Sequence, residues 1–144
     1  MFDGIPRRVV SMWFPRLASD RVLRARPIDA PFALTLKQDN AERVYCLNAR
    51  AERLGLHRGM AFADARAFCA ALHSRPADPP ADRRFLQVLR RWATRYCPWV
   101  GLEGPDGLVL DVSGATHLWD GETAMLADMR ARLSRAGLSV RLGL

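Results

Sequence analysis

The stretch 99–114, WVGLEGPDGLVLDVSG, limits the possible folds of this chain more than any other. It reads as two short apolar strands, 99–103 and 108–112, joined by Gly104-Pro105-Asp106-Gly107. In that link Pro presets φ, Asp hydrogen-bonds its own backbone and Gly takes positive φ without strain, so the chain reverses tightly. Residues 108–112 (LVLDV) are apolar at nearly every position, which predicts a strand in the middle of a sheet, covered on at least one face.

The elements on either side follow the same logic. Residues 8–14 (RVVSMWF) read as a strand ended by Pro15, which lacks the amide a central ladder needs. Ser19-Asp20 offers a cap for a short helix over 21–26. Residues 31–37 and 42–47 predict a second hairpin around Gln38-Asp39-Asn40-Ala41. Asn48 caps a helix to Leu54 that ends at Gly55, and the Ala-rich run 61–72 predicts another. Three prolines in 73–80 read as a linker. In 82–96, Phe85, Leu86, Leu89, Trp92, Ala93 and Tyr96 form an apolar stripe at helical spacing, with arginines off it. A further helix is predicted over 122–136, ended by Gly137, and a closing strand over 139–144.

With 27–80 set aside, the order is strand, helix, hairpin, helix, strand. That βαββαβ pattern predicts an α+β, ferredoxin-like palm formed by 1–26 and 81–144, with 27–80 inserted as a small lobe. A length of 144 residues suits one domain, or a small domain with one insertion. No run is long and apolar enough to cross a membrane, and the first ten residues carry no export signal. Cys46, Cys69 and Cys97 have no paired spacing, so reduced thiols in a cytoplasm are expected, with neither a disulfide frame nor a zinc site. The basic residues, 21 Arg and one Lys, exceed the 15 acidic ones by seven. This excess favours a polyanion such as DNA, and is equally what a merely solvated, Arg-biased surface would show.

Several segments resemble the Y-family of translesion DNA polymerases. Leu54-Gly55-Leu56-His57-Arg58-Gly59-Met60, followed by 63–69 (ADARAFC), is similar to that family's fingers signature, and 107–114 (GLVLDVSG) to its palm hairpin. The resemblance runs from about residue 8 to 144 in the family's order, and identifies the inserted lobe as fingers. Within the family the opening segment, the LNARAERLGLHRGM block and GPDGLVLDVSGATHLWDG resemble most its non-catalytic branch, found in bacterial mutagenesis cassettes. That branch implies a scaffold role in damage-induced translesion synthesis. Its partners would be an ImuA-like protein, an error-prone replicative-type polymerase that supplies the chemistry, and DNA. The thumb and little-finger regions and the sliding-clamp segment lie outside this chain, so its own DNA affinity is expected to be weak.

The chemistry of the family needs carboxylates that hold two metal ions against the reacting oxygens. The resemblance places the first-strand acids at Ser11 and Trp13 and the hairpin pair at Asp106 and Gly107, so one ligand of that set survives. The fingers Tyr and Arg that contact triphosphate fall at Ala49 and Glu52, and the aromatic pair facing the sugar at Pro15 and Arg16. Glu52 would repel phosphate. The expectation is a polymerase fold with no catalytic residues, metal or other cofactor of its own. The rival readings are an active nucleotidyltransferase with displaced acids such as Asp106 and Asp111, and a simple DNA-binding module. Asp106 could equally be only a turn former. Asp111 is expected to brace the hairpin, His57, His73 and His117 to be solvated, and Trp13, Trp92, Trp99 and Trp119 to pack in a core or interface. Arg83-Arg84 and Arg90-Arg91 read as the wet face of a helix or as a track for a DNA backbone.

Overall fold

The computed structural model describes residues 7–144. In chain order they form β1 (Val9–Trp13), α1 (Leu17–Ala25), β2 (Phe32–Gln38), β3 (Ala41–Leu47), α2 (Ala49–Arg53), α3 (Phe62–Phe68), β4 (His73–Pro76), α4 (Pro79–Ala93), β5 (Val100–Glu103), β6 (Gly107–Asp111), a 3-10 turn (Thr116–Trp119), α5 (Glu122–Arg135) and β7 (Arg141–Gly143). They divide into two compact units, one of residues 7–15 with Arg83–Leu144 and the other Arg16–Asp82.

The first unit is the α+β palm expected from the element order. Its sheet runs β5-β6-β1-β7, and every neighbouring pair is antiparallel. The hairpin strand β6 therefore lies inside the sheet. Alternation along β1 buries Val10 and Met12 and leaves Ser11 and Trp13 on the other face. Val10 registers with Leu110 and Met12 with Leu108, both fully buried. The helices supply the rest of the core at spacings of three and four: Leu86, Leu89 and Ala93 from α4, and Met125, Met129 and Leu133 from α5. Each fully buried Leu or Met contributes about 1.5–3 kcal/mol. Tyr96, just past α4, is buried, and its hydroxyl donates to Asp128 Oδ2 of α5 at 2.7 Å.

The second unit is built on a sheet ordered β3-β2-β4. β2 and β3 are joined by Asp39 and Asn40, both at positive φ (50° and 64°), the backbone a two-residue hairpin turn requires. Four expectations change here. The proline-rich segment is not all linker: 73–76 is an edge strand parallel to β2, and an edge position tolerates the amide that Pro76 lacks. The first helix starts at Leu17, so Ser19 is not its cap. Instead Ser19 is buried and donates to the Leu47 carbonyl at 2.6 Å. Because Ala18 also packs with Phe32, Leu34 and Cys46, α1 belongs to this unit, and the boundary falls after Pro15 rather than after residue 26. The Ala-rich helix is also shorter than expected, ending at Phe68.

Asn48 holds much of this unit together. Its side-chain oxygen accepts from Ala51 N, capping α2, and from Phe32 N at the start of β2, each at 3.0 Å. Its amide donates to the Ala30 carbonyl at 2.8 Å. One side chain thus joins a helix end to a strand end.

Candidate functional site

The uncovered face of the palm sheet brings the expected site positions together. Ser11 and Trp13 both lie on it, and Trp13 registers with Gly107 on β6 and with Arg141 on β7. Asp106 sits in the turn just before β6. Its carbonyl accepts from Phe14 N at 2.9 Å, which fixes the turn against the end of β1. Its carboxylate Oδ2 accepts from the Trp13 indole Nε1 at 3.2 Å. The Arg141 guanidinium lies over the same ring, 5.6 Å from its centroid. Ser11 stands two residues back along β1, opposite Val109.

Gly107 is a strand residue rather than part of the turn, paired with both Trp13 and Glu103. A Cβ at this position would stand 2.6 Å from the Glu103 carbonyl oxygen and 3.5 Å from the Met12 carbonyl. The Glu103 backbone therefore crowds the place where the resemblance expects the second hairpin acid, while the Met12 carbonyl lies at ordinary contact distance. Glu103 shares the open face through its pairing with Gly107. The sequence offered a route to it, since the strand pairing across the GPD turn sets those two residues opposite each other.

Asp111 braces the end of β6, as expected. Its Oδ1 accepts from Ser113 N at 3.1 Å, and Arg7 Nε lies 3.7 Å from Oδ2. The Ser113 hydrogen bonds, with a smaller contribution from Arg7, hold its carboxyl below the usual carboxylate range. Among the described residues, no three His, Cys, Asp or Glu side chains come together in a group that could hold a metal ion.

In the second unit, Ala49 is the first residue of α2, and Glu52 follows one turn later. The Glu52 carboxylate receives Arg16 through Nε at 3.2 Å and Nη2 at 3.1 Å. The arginine standing at an expected aromatic position and the acid standing at an expected arginine position are therefore partners. The pairing is not legible in the sequence because the two stand 36 positions apart.

The remaining candidates are dispersed. His57, His73 and His117 are exposed, with His73 on β4 rather than in a loop. The three cysteines are free, and burial pushes the Cys97 thiol up. Trp13 and Trp99 are 44% and 52% exposed and lie outside the core, and Trp99 lies over Gly101 of β5. Trp92 and Trp119 instead flank the buried Tyr96 ring.

A βαββαβ palm and a second unit of fingers type define a polymerase-like fold. The chain belongs to the impB/mucB/samB family (IMS), which it matches over residues 17–144. In sequence it is similar to protein ImuB of Caulobacter vibrioides, in strains NA1000 / CB15N and ATCC 19089 / CIP 103742 / CB 15. Each is 46% identical over 88 residues, covering 61% of this chain and 19% of the relative. The match thus spans about a fifth of the length of those curated relatives. In structure it is similar to a post-insertion binary complex of Dbh DNA polymerase (TM-score 0.77, 17% identity) and to DinB from Sulfolobus solfataricus (TM-score 0.75, 18% identity). Each likeness covers 94% of this chain and 41% of the other. At such identities the likeness establishes a shared fold. Among the described residues no helix is long and apolar enough to cross a membrane.

Proposed function

We propose that this chain is the palm-and-fingers part of an ImuB-like protein, a polymerase-type scaffold that takes part in damage-induced translesion synthesis without catalysing it. The observation that carries this reading is the Trp13–Asp106 hydrogen bond. An indole N–H only donates, so Trp13 cannot ligate a cation, and it occupies part of the acceptor capacity of the one acid that remains of the expected set. Ser11 brings a hydroxyl where a carboxylate is expected, and a side chain at Gly107 would require the Glu103 backbone to shift. This donor set does not fit two divalent ions, and no catalytic step is derived through them. The Arg16–Glu52 pair supports the same reading, because it leaves a carboxylate at the position where the family pattern has a triphosphate-binding cation. In this reading the chemistry belongs to a replicative-type polymerase partner, recruited together with an ImuA-like protein, and DNA is shared among them.

The test is Mn²⁺ binding followed by quenching of tryptophan fluorescence, alongside primer extension with Mg²⁺ or Mn²⁺. Expected are no incorporation, and no quenching that depends on Asp106. Nucleotide incorporation, or Mn²⁺ binding, that disappears in Asp106→Ala would refute the proposal and favour an active enzyme with displaced acids.

A further inference from the structure

Charge in the palm unit is divided between its two sides. The open sheet face carries Glu103, Asp106 and Asp111 against Arg7 and Arg141. The helix side is strongly basic. On α4, Arg84, Val88 and Arg91 are spaced by four and three residues and are all exposed, opposite the buried Leu86, Leu89 and Ala93. Arg95 extends that stripe past the helix end, its guanidinium stacked over Trp92. On α5, Arg130 and Arg135 are exposed. The acids of α5 are already engaged: Glu122 by Arg8 at 2.6 Å, and Asp128 by the Tyr96 hydroxyl and Arg132. Among the described residues, Arg84, Arg91 and Arg130 have no carboxylate partner.

We propose that this helix side is a contact surface for the phosphate backbone of duplex nucleic acid, separate from the polymerase-like site on the opposite face of the sheet. The basic residues here are all arginine, whose planar fork matches phosphate oxygens in pairs. From Arg84 to Arg91 the helix rises roughly 10 Å, a length over which a duplex presents about six phosphates counting both strands. An acidic protein partner fits less well. Protein interfaces are anchored by buried aromatic or aliphatic side chains, and Val88 is the one exposed large hydrophobic residue on these two helices. The proposal shares with the functional reading only the choice of nucleic acid as partner, and the outcome of primer extension does not bear on it.

Fluorescence anisotropy of a labelled 20-base-pair duplex, titrated with the 144-residue chain at 50–200 mM salt, tests it. The triple variant Arg84→Ala/Arg91→Ala/Arg95→Ala is expected to bind at least tenfold more weakly at the low-salt end. Its plot of log affinity against log salt should be shallower by about 2–3, close to one unit per lost phosphate contact. The triple Lys variant, which keeps the charge, should retain the slope, and this separates lost contacts from lost folding. Trp13→Ala/Arg141→Ala should change neither quantity. Unchanged duplex affinity and slope in the triple Ala variant would overturn the proposal. So would duplex binding lost only in the Trp13/Arg141 variant. Binding of poly-glutamate but not of duplex through the same arginines would overturn it in favour of an acidic protein.

Discussion

The crowding at Gly107 makes a quantitative prediction about how far this palm has moved from one that could carry a second hairpin acid. In Gly107→Ala the added methyl starts 2.6 Å from the Glu103 carbonyl oxygen, well inside the closest ordinary carbon–oxygen contact. The neighbour is backbone, so no rotamer change relieves the clash. Either the end of β5 or the start of β6 must move, and both are tied into the ladder, β6 through its pairing with Trp13 as well. Overpacking of this kind costs about 1–3 kcal/mol. Restricting the unfolded chain by replacing Gly with Ala returns about 0.4–1 kcal/mol. The net expectation is a loss of about 1–2 kcal/mol, with each kcal/mol lowering Tm by roughly 4–8 °C for a unit of this size. Gly143→Ala on β7 is the control. A Cβ there meets nothing within 4 Å, so its stability should be unchanged or slightly higher. Thermal melts followed by tryptophan fluorescence and circular dichroism read both variants. If Gly107→Ala melts at or above the wild-type temperature, the start of β6 has room for a side chain, and the steric part of the argument against a second acid fails.

Two further outcomes concern stability. Asn48→Ala should cost about 2–3 kcal/mol in urea unfolding, because it removes a helix cap and leaves Phe32 N and the Ala30 carbonyl without their partner; a loss under about 0.5 kcal/mol would show that the second unit does not depend on this junction. In acid, Asp128 is held below the usual carboxylate range first by the Tyr96 hydroxyl and then by Arg132, and Glu122 by Arg8. A carboxylate depressed in the folded state contributes stability that is complete above its unfolded pKa and is lost as pH falls through the lower folded value. Tm should therefore be level from pH 7 to about 5 and fall below about pH 4, and Asp128→Asn should flatten that fall. An unchanged profile in the variant would rule out this linkage.

Legibility in the sequence followed the range of the forces involved. The palm was readable because its signals are local and repeated: alternation in β1, helical spacing of apolar residues in 82–96 and 122–136, and the proline–glycine punctuation of the hairpin. The edge strand β4 was not, because four residues with three of them polar, ending in a proline, become a strand only when β2 supplies the ladder. The boundary after Pro15 was hidden for a similar reason. α1 is adjacent in sequence to β1, but two of its three buried residues, Ala18 and Ser19, find partners on β2 and β3.

At the candidate site, the contacts between the singled-out residues were not legible in the sequence. Substitution by substitution, Trp13, Gly107, Arg16 and Glu52 read as losses. In the folded chain each takes part in a specific arrangement. The indole at 13 donates to Asp106, and the glycine at 107 lets the Glu103 carbonyl approach. The cation at 16 and the anion at 52 neutralise each other across two helices of the same unit. Reversing one of these changes alone would leave its partner unsatisfied: Trp13→Asp would set a carboxylate against Asp106, and Glu52→Arg would set a second cation against Arg16. On the function proposed above, a return to the polymerase pattern requires changes made in pairs, and at Gly107 a shift of backbone as well.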